Sequence, residues 1–420
     1  MLTILAQRLA AVRMPSFGRL ASALASALLA LPTLGSGSAW LQAPPRTPPS
    51  ALPDLGKGQR PAGLGPQRYA TDGRPLAAMS ESARAASSQA GPPAQHHVTQ
   101  MVELRDALAR VQAGETIELA PGRYRWTRQL STQSGGRPGE PIVLRARQTG
   151  SVHIEVDAQA ALAIVHPYWL VENLTLQGVC ALPVDCEHAF HVMGAAVGTV
   201  IRNNRMIDFN AHIKVNGLRG EWPDLGLVQH NSLLNSQARP VQRPVTPFDL
   251  VGASHWLVRD NEVRHVHRPD ARATSYGLYM KGGGEGGRIE HNLVICSERN
   301  INEPGARIGI SLGGGLTGTP YARSQAHEHR GGVVQFNVVA HCNDTGLDAN
   351  RAVEALFADN LLINTAGISL RGGAQAHLLR NRLDGRIRER QGSRAESQHN
   401  QVGDSRRWFM DADALDLRRP

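Results

Sequence analysis

The sequence predicts an all-β chain: a single-stranded right-handed parallel β-helix, a solenoid closed at its start by an N-terminal capping helix. Three observations predict it. An apolar strand ending in Asn recurs along the chain, a second strand with apolar residues two apart follows each one, and a short amphipathic segment precedes the first repeat.

The Asn-ended strand reads WLVEN, VIRNN, LVQHN, LVRDN, RIEHN, VVQFN, LFADN and LLRNR, which puts Asn at 173, 204, 231, 261, 292, 337, 360 and 381. Self-similarity of this kind marks a stack of coils, each burying its apolar face against its neighbours. The step from Asn292 to Asn337, 45 residues (337 − 292), is the longest and predicts an inserted loop. Chemistry at every coil is implausible. Asn tolerates the left-handed backbone of a sharp corner, and its amide can bond the Asn stacked above or below, so these residues are expected to form a structural ladder.

The second strand reads AFHVMG, HIKVNG, FDLVGA, GLYMKGG, GISLGGG, GLDANRA and GISLRGG. Period two buries one side of a strand and turns the other outward. The core is therefore expected to stack Phe190, Ile213, Phe248, Leu278, Ile310, Leu347 and Ile368, with Val192, Val215, Leu250, Met280, Leu312, Ala349 and Leu370 beside them. Two columns face out. One is His191, Lys214, Asp249, Tyr279, Ser311, Asp348 and Ser369; the other is Met193, Asn216, Val251, Lys281, Gly313, Asn350 and Arg371.

Ahead of the repeats, VTQMVELRDALARVQAGETIELAPGRYR predicts a helix over about Met101–Val111, from Val102, Leu104, Leu108 and Val111, and then the first strand, TIEL. The helix would cover the open sheet edge at the end of the solenoid. Repeat chains grow by adding coils, so 420 residues do not require a second domain. The 43 Gly and 25 Pro suit short strands and tight turns better than long helices.

The flanks read differently. Residues 1–39 have basic residues, an apolar run and the small-residue stretch SGSA, the order of a secretory signal peptide. Residues 40–95 are crowded with Pro, Ala, Gly and Ser without hydrophobic period, which predicts a disordered linker. The β-helix is expected over 96–385, and 386–420 as a charged C-terminal tail in which WFMDADAL could dock on the last coil. A secreted or periplasmic protein follows, soluble after cleavage, with no later segment long enough to span a membrane. Cys180, Cys186, Cys296 and Cys342 could pair fully in such a compartment, with three connectivities open. No Cys/His spacing resembles a zinc site.

The opening ALARVQAGETIELAPGRY, followed by GRPGEPIVLRA, resembles the start of the chondroitinase-B and alginate-lyase family of polysaccharide lyases, within the pectate-lyase-like superfold. YGLYMKGG is similar to the family's Lys-containing strand, which implies Lys281 as general base. The family has acidic calcium ligands just before that Lys and an Arg on the next coil; this chain has SYGLYM and GISLGGG there. Calcium is the one cofactor the resemblance implies, and no motif otherwise requires a cofactor or metal.

The formal charge of +9, with 45 Lys and Arg against 36 Asp and Glu, suits an anionic partner outside the cell. No Lys/Arg block with interleaved aromatics marks a nucleic-acid groove, so an acidic polysaccharide is the expected partner, bound by a monomer. Breaking a uronate chain by β-elimination needs a cation at the carboxylate, a base for the adjacent C–H and an acid for the leaving oxygen. Lys281 is the expected base, Tyr279 or His191 the acid, and Lys214 or Arg371 the holder of the carboxylate. Asp249 would orient a lysine or bind calcium, although Lys214 and Asp249 also read as a plain cross-strand ion pair. Asp348 and Asn216 on the same face, and His267, Arg268 and Arg272 in the loop RHVHRPDARATS, are expected to touch substrate. Two other functions stay open: a non-catalytic β-helix that binds glycan or a cell-surface partner, and a uronate C5-epimerase.

Overall fold

The computed structural model describes residues 93–269, 274–298 and 304–417. The expected signal peptide, and all but the last residues of the expected linker, lie outside them. Among the described residues three long sheets wind around one core, with twelve, ten and eleven strands. Every ladder between their strands is parallel, and each strand pairs with its counterpart one coil away. A coil visits the sheets in a fixed order, as in Leu227–Gln229, Ser232–Leu234 and Phe248–Val251, before Leu257–Arg259 begins the next. This is the right-handed parallel β-helix that the repeats predict.

The capping helix spans Met101–Arg110 and buries Leu104, Ala107 and Leu108. Val102, expected on that face, is exposed. The Glu103 carboxylate accepts from the Thr99 and Gln100 backbone N–H groups, satisfying donors at the helix start. The solenoid begins at residue 96 as expected, but its first strand precedes the helix: His96–Val98 pairs with Thr116–Leu119, the strand expected to come first. Three residues are too few for a period to show in sequence.

Both predicted core columns of the ten-stranded sheet are fully buried. Gly277 and Gly309 stand where those strands enter, and a Cβ on Gly277 would lie 2.6 Å from the Gly309 carbonyl oxygen. A Cβ on Gly309 would lie 2.2 Å from Val339 Cγ1, so the repeated Gly before GLYMK and GISLG is a steric requirement of the corner.

The Asn ladder is present with a correction. Asn231 Nδ2 donates to Asn261, Asn261 to Asn292, Asn292 to Asn337 and Asn337 to Asn360, each at 3.0 Å. The left-handed residue is the neighbour before each ladder Asn: Asn203, His230, Asp260, His291, Phe336, Asp359 and Arg380. Asn173, at φ 65°, is such a corner residue, and Leu174 holds the ladder place and donates its N–H to Asn204. Sequence alone assigned both jobs to one residue; the backbone divides them between two.

Of the three connectivities left open, the structure has Cys180–Cys186 and Cys296–Cys342, the second tying successive coils. The expected tail at 386–420 is corrected in its first part. Arg386–Glu389, Arg394–Gln398 and Gln401–Val402 add one more coil, and Asn400 extends the ladder. A last coil needs a polar outer side, which hides it from a search for apolar strands. Beyond it the final segment does dock, but on the outer side of three earlier coils and not on the last one: Phe409, Ala412 and Leu417 bury against Leu293, Ile295, Val338, Ala340, Leu361 and Ile363.

Asn261 donates to the Val228 and Arg259 carbonyls and to Asn292, and it accepts from Asn231, all in the interior. Asn261→Ala should therefore cost about 2–4 kcal/mol, because several buried backbone groups lose partners together. Thermal unfolding would show it as a lowered Tm; an unchanged Tm would remove the ladder from the stabilising interactions.

Candidate functional site

The outward face of the ten-stranded sheet holds the predicted columns in register: His191 opposite Lys214, Lys214 opposite Asp249, Asp249 opposite Tyr279. Asn216, Val251 and Lys281 run beside them. Successive coils are about 4.8 Å apart, so side chains from three of them can meet over one sugar.

At the centre, Lys214 Nζ donates to Asp249 Oδ2 at 2.5 Å. The other oxygen, Oδ1, is buried without a hydrogen-bond partner. Burial alone would raise the Asp249 carboxyl, but the charges of Lys214 and Lys281 outweigh it and hold the group below its ordinary range. Lys281 Nζ sits 4.6 Å from the centroid of the Tyr279 ring. No carboxylate lies within ion-pair distance of it among the described residues, since Asp249 is committed to Lys214. Asp249 thus orients one lysine and leaves the other open.

Tyr279 does not fit the acid role expected of it. It is buried, and the backbone of Gly314 covers its hydroxyl so closely that a Cβ there would lie 2.1 Å away. Its ring stacks on Tyr276 at 4.1 Å and 7°. Burial, with Tyr276 and Asp249 nearby, pushes its hydroxyl far above the usual range. Tyr279 is a platform against which both Lys281 and Tyr276 rest. Tyr276, half-buried with its hydroxyl raised mainly by burial, was missed by the sequence reading. The period-two pattern hides it, because the Gly277 corner breaks the alternation and leaves both tyrosines on one face.

Arg371 clasps Asp348 through Nε and Nη2 at 3.1 and 3.0 Å, and Ser311 Oγ donates to the same carboxylate. Asp348, expected at the substrate, is 1% exposed with both oxygens used, so it holds Arg371 in place. Asn216 is similarly engaged, with Oδ1 2.7 Å from His191 Nε2 and Nδ2 on the Gly217 carbonyl. Burial lowers His191 to about 4, helped by His188 and opposed by the Asn216 contact. It is an uncharged imidazole at neutral pH, three coils from Tyr279, and the expected role as a proton donor fails.

His267 and Arg268 lie at a buried corner, contrary to the expected substrate contact. His267 Nδ1 is 3.4 Å from Nη1 of the fully buried Arg307. Arg272 falls outside the described residues. The loop expected between Asn292 and Asn337 includes 313–328, which straps down the chain just after Lys281. Glu328 accepts from the Gly282 and Thr317 N–H groups and from the Thr317 hydroxyl, while the Arg323 N–H donates to the Gly282 carbonyl. The 45-residue step announced a loop, but only its contacts reveal that it fixes Lys281.

Calcium does not fit this donor set. It takes six to eight oxygens, usually from several carboxylates. Asp249 stands between two lysines, and among the described residues no three His, Cys, Asp or Glu side chains converge.

The family model described as chondroitinase B matches residues 98–210, the opening coils. Of the site residues only His191 falls within that match. Among solved structures, a rhamnogalacturonan lyase superposes with TM-score 0.53 at 12% identity, over 74% of this chain and 86% of the other. A pectate lyase gives 0.51 at 13%, over 75% and 81%. An alginate lyase from a Paenibacillus species gives 0.46 at 12%, over 73% and 94%. Comparison with curated proteins finds no match. At these identities the structural likeness is one of fold, and the opening sequence carries the resemblance to the polysaccharide lyases.

His188 and His191 are both lowered to about 4 by burial, against 6.5 for an unperturbed imidazole. Between those values the unfolded chain binds more protons than the folded one, so stability is full above 6.5 and falls as pH drops toward 4. Replacing both by Gln should flatten the fall of Tm with pH in that window. Equal slopes for the two proteins would contradict the buried, neutral state.

Proposed function

We propose that the protein is a lyase that cleaves an acidic, uronate-containing polysaccharide by β-elimination, on the outward face around Lys281, as an exported enzyme. The observation that carries this reading is that face: an amine fixed on an aromatic platform, with no carboxylate partner among the described residues, two coils from a second lysine held by Asp249 on the coil between them. The chondroitinase B match and the shared fold of pectate and rhamnogalacturonan lyases support the same class.

In this reading the uronate carboxylate lies against Lys214, whose positive charge stabilises the carbanion that forms beside it. Lys281 takes the proton α to the carboxylate on its amine nitrogen. The electron pair left on that carbon forms the new double bond, and the bond to the glycosidic oxygen breaks. Tyr276, stacked on the Tyr279 ring, supplies a proton to the departing oxygen, the role expected of Tyr279. Asp249 keeps Lys214 in place, and its unpartnered Oδ1 can accept from a sugar hydroxyl. Lysines take the place that calcium would hold in neutralising the carboxylate.

Incubation with alginate, pectate, chondroitin and hyaluronan, with and without calcium, should give an ultraviolet-absorbing unsaturated uronate from one of them. Lys281→Ala should lower that rate about 10²–10⁴-fold, the usual effect of losing a general base, with an unchanged Tm. An epimerase would exchange the α proton with solvent and leave the chain uncut. Unsaturated product at the wild-type rate from Lys281→Ala would sink the assignment of the base.

A further inference from the structure

Resting on the lyase reading above, we infer that the terminal coil carries a second carboxylate-binding subsite, formed by Arg388 and Arg390 beside Arg371. It lies on the face that holds Lys281 and takes a uronate several sugars away from the reacting one. Four register steps separate the two places, from Thr274–Lys281 through Ala306–Leu312, Thr345–Asn350 and Gly367–Arg371 to Arg386–Glu389. At about 4.8 Å per coil that is about 19 Å along the helix axis.

The direction of each side chain follows from the pairing. Ile387 stands opposite Ile368 and packs on the core, so Arg388, opposite Ser369, points out. Its Nη2 makes only long contacts, 3.4 Å to the Asp344 and Ala366 carbonyls, and its Nε is buried without an acceptor, which leaves the outer end of the guanidinium as the part a ligand can reach. Arg390 is exposed and leans back over the same column, donating to Ser369 Oγ at 2.7 Å. Neither guanidinium has a carboxylate within ion-pair distance among the described residues. Asp348 is already clasped by Arg371, and Glu389 stands opposite the inward Leu370, on the other side of the strand.

Two arginines with unused donors, next to a third held rigidly, form a site for a planar carboxylate, which a guanidinium binds through two parallel hydrogen bonds. A polymer with one carboxylate on each sugar could engage Lys214 and Lys281 at one end and this cluster at the other. A short oligomer would reach only one of them.

The test is binding of oligogalacturonates and oligomannuronates of graded length to the full chain, by calorimetry. Affinity should rise once the oligomer spans both places. Arg388→Ala/Arg390→Ala should weaken the long oligomers about three- to tenfold and leave the short ones unchanged, as expected for two partly exposed charged contacts. Arg390→Glu, at an exposed position, serves if the double variant fails to fold. Wild-type affinity independent of length, equal binding of a neutral oligosaccharide of the same length, or long oligomers unaffected by the substitutions would each overturn the subsite. If the length dependence holds and no unsaturated product forms, the subsite stands and the lyase reading falls; product with no length dependence gives the reverse.

Discussion

Everything in this molecule depends on coil stacking in register. Each strand pairs only with the same strand of the neighbouring coil, so one shift of register applies to three sheets at once. A slip of one residue would turn Lys281 into the core and Met280 to solvent, because side chains alternate along a strand. The Asn ladder opposes such a slip. It is a buried line of amides, each bonding its own coil and the next, and an amide displaced by one residue would leave donors and acceptors unpaired in the interior.

That rigidity allows the outward face to hold groups in arrangements that would be costly on a softer scaffold. Asp249 keeps an unpartnered oxygen, two tyrosine rings lie flat against each other, and Lys281 rests on one of them. The inserted loop contributes as much as the sheet. Gly314 closes over the Tyr279 hydroxyl and Glu328 holds the backbone after Lys281, so the amine is fixed from the strand and from above. Burial also sorts the candidates electrostatically. It leaves His191 neutral and Tyr279 protonated, while two lysine charges keep Asp249 ionised. Acid, base and charge-holder therefore cannot be distributed freely among the polar residues of the face.

Legibility in the sequence followed how local each signal is. Period two and the recurring Asn are local, and they placed the core columns, the outward columns and most of the ladder correctly. The division of labour at the corner was not visible, since a left-handed residue can be His230, Phe336 or Arg380 as readily as Asn203. The last coil was missed because only Ile387 and Ala395 pack inward in its longer strands. Tyr276 was missed because a glycine corner shifts the phase of the strand that carries it.

By itself, the sequence determined the architecture, the order of coils and the face on which Lys214, Asp249, Tyr279 and Lys281 come together. Repetition makes these additive: each coil states the same pattern again, and errors at one are corrected by the others. The roles of those side chains were decided by the tertiary structure alone. Whether a tyrosine is covered, an aspartate engaged or an arginine left open depends on atoms brought from distant segments, such as Gly314 over Tyr279 and Arg371 on Asp348. Burial and partner charge set the proton state of a group, and neither is a property of the residues next to it in the chain.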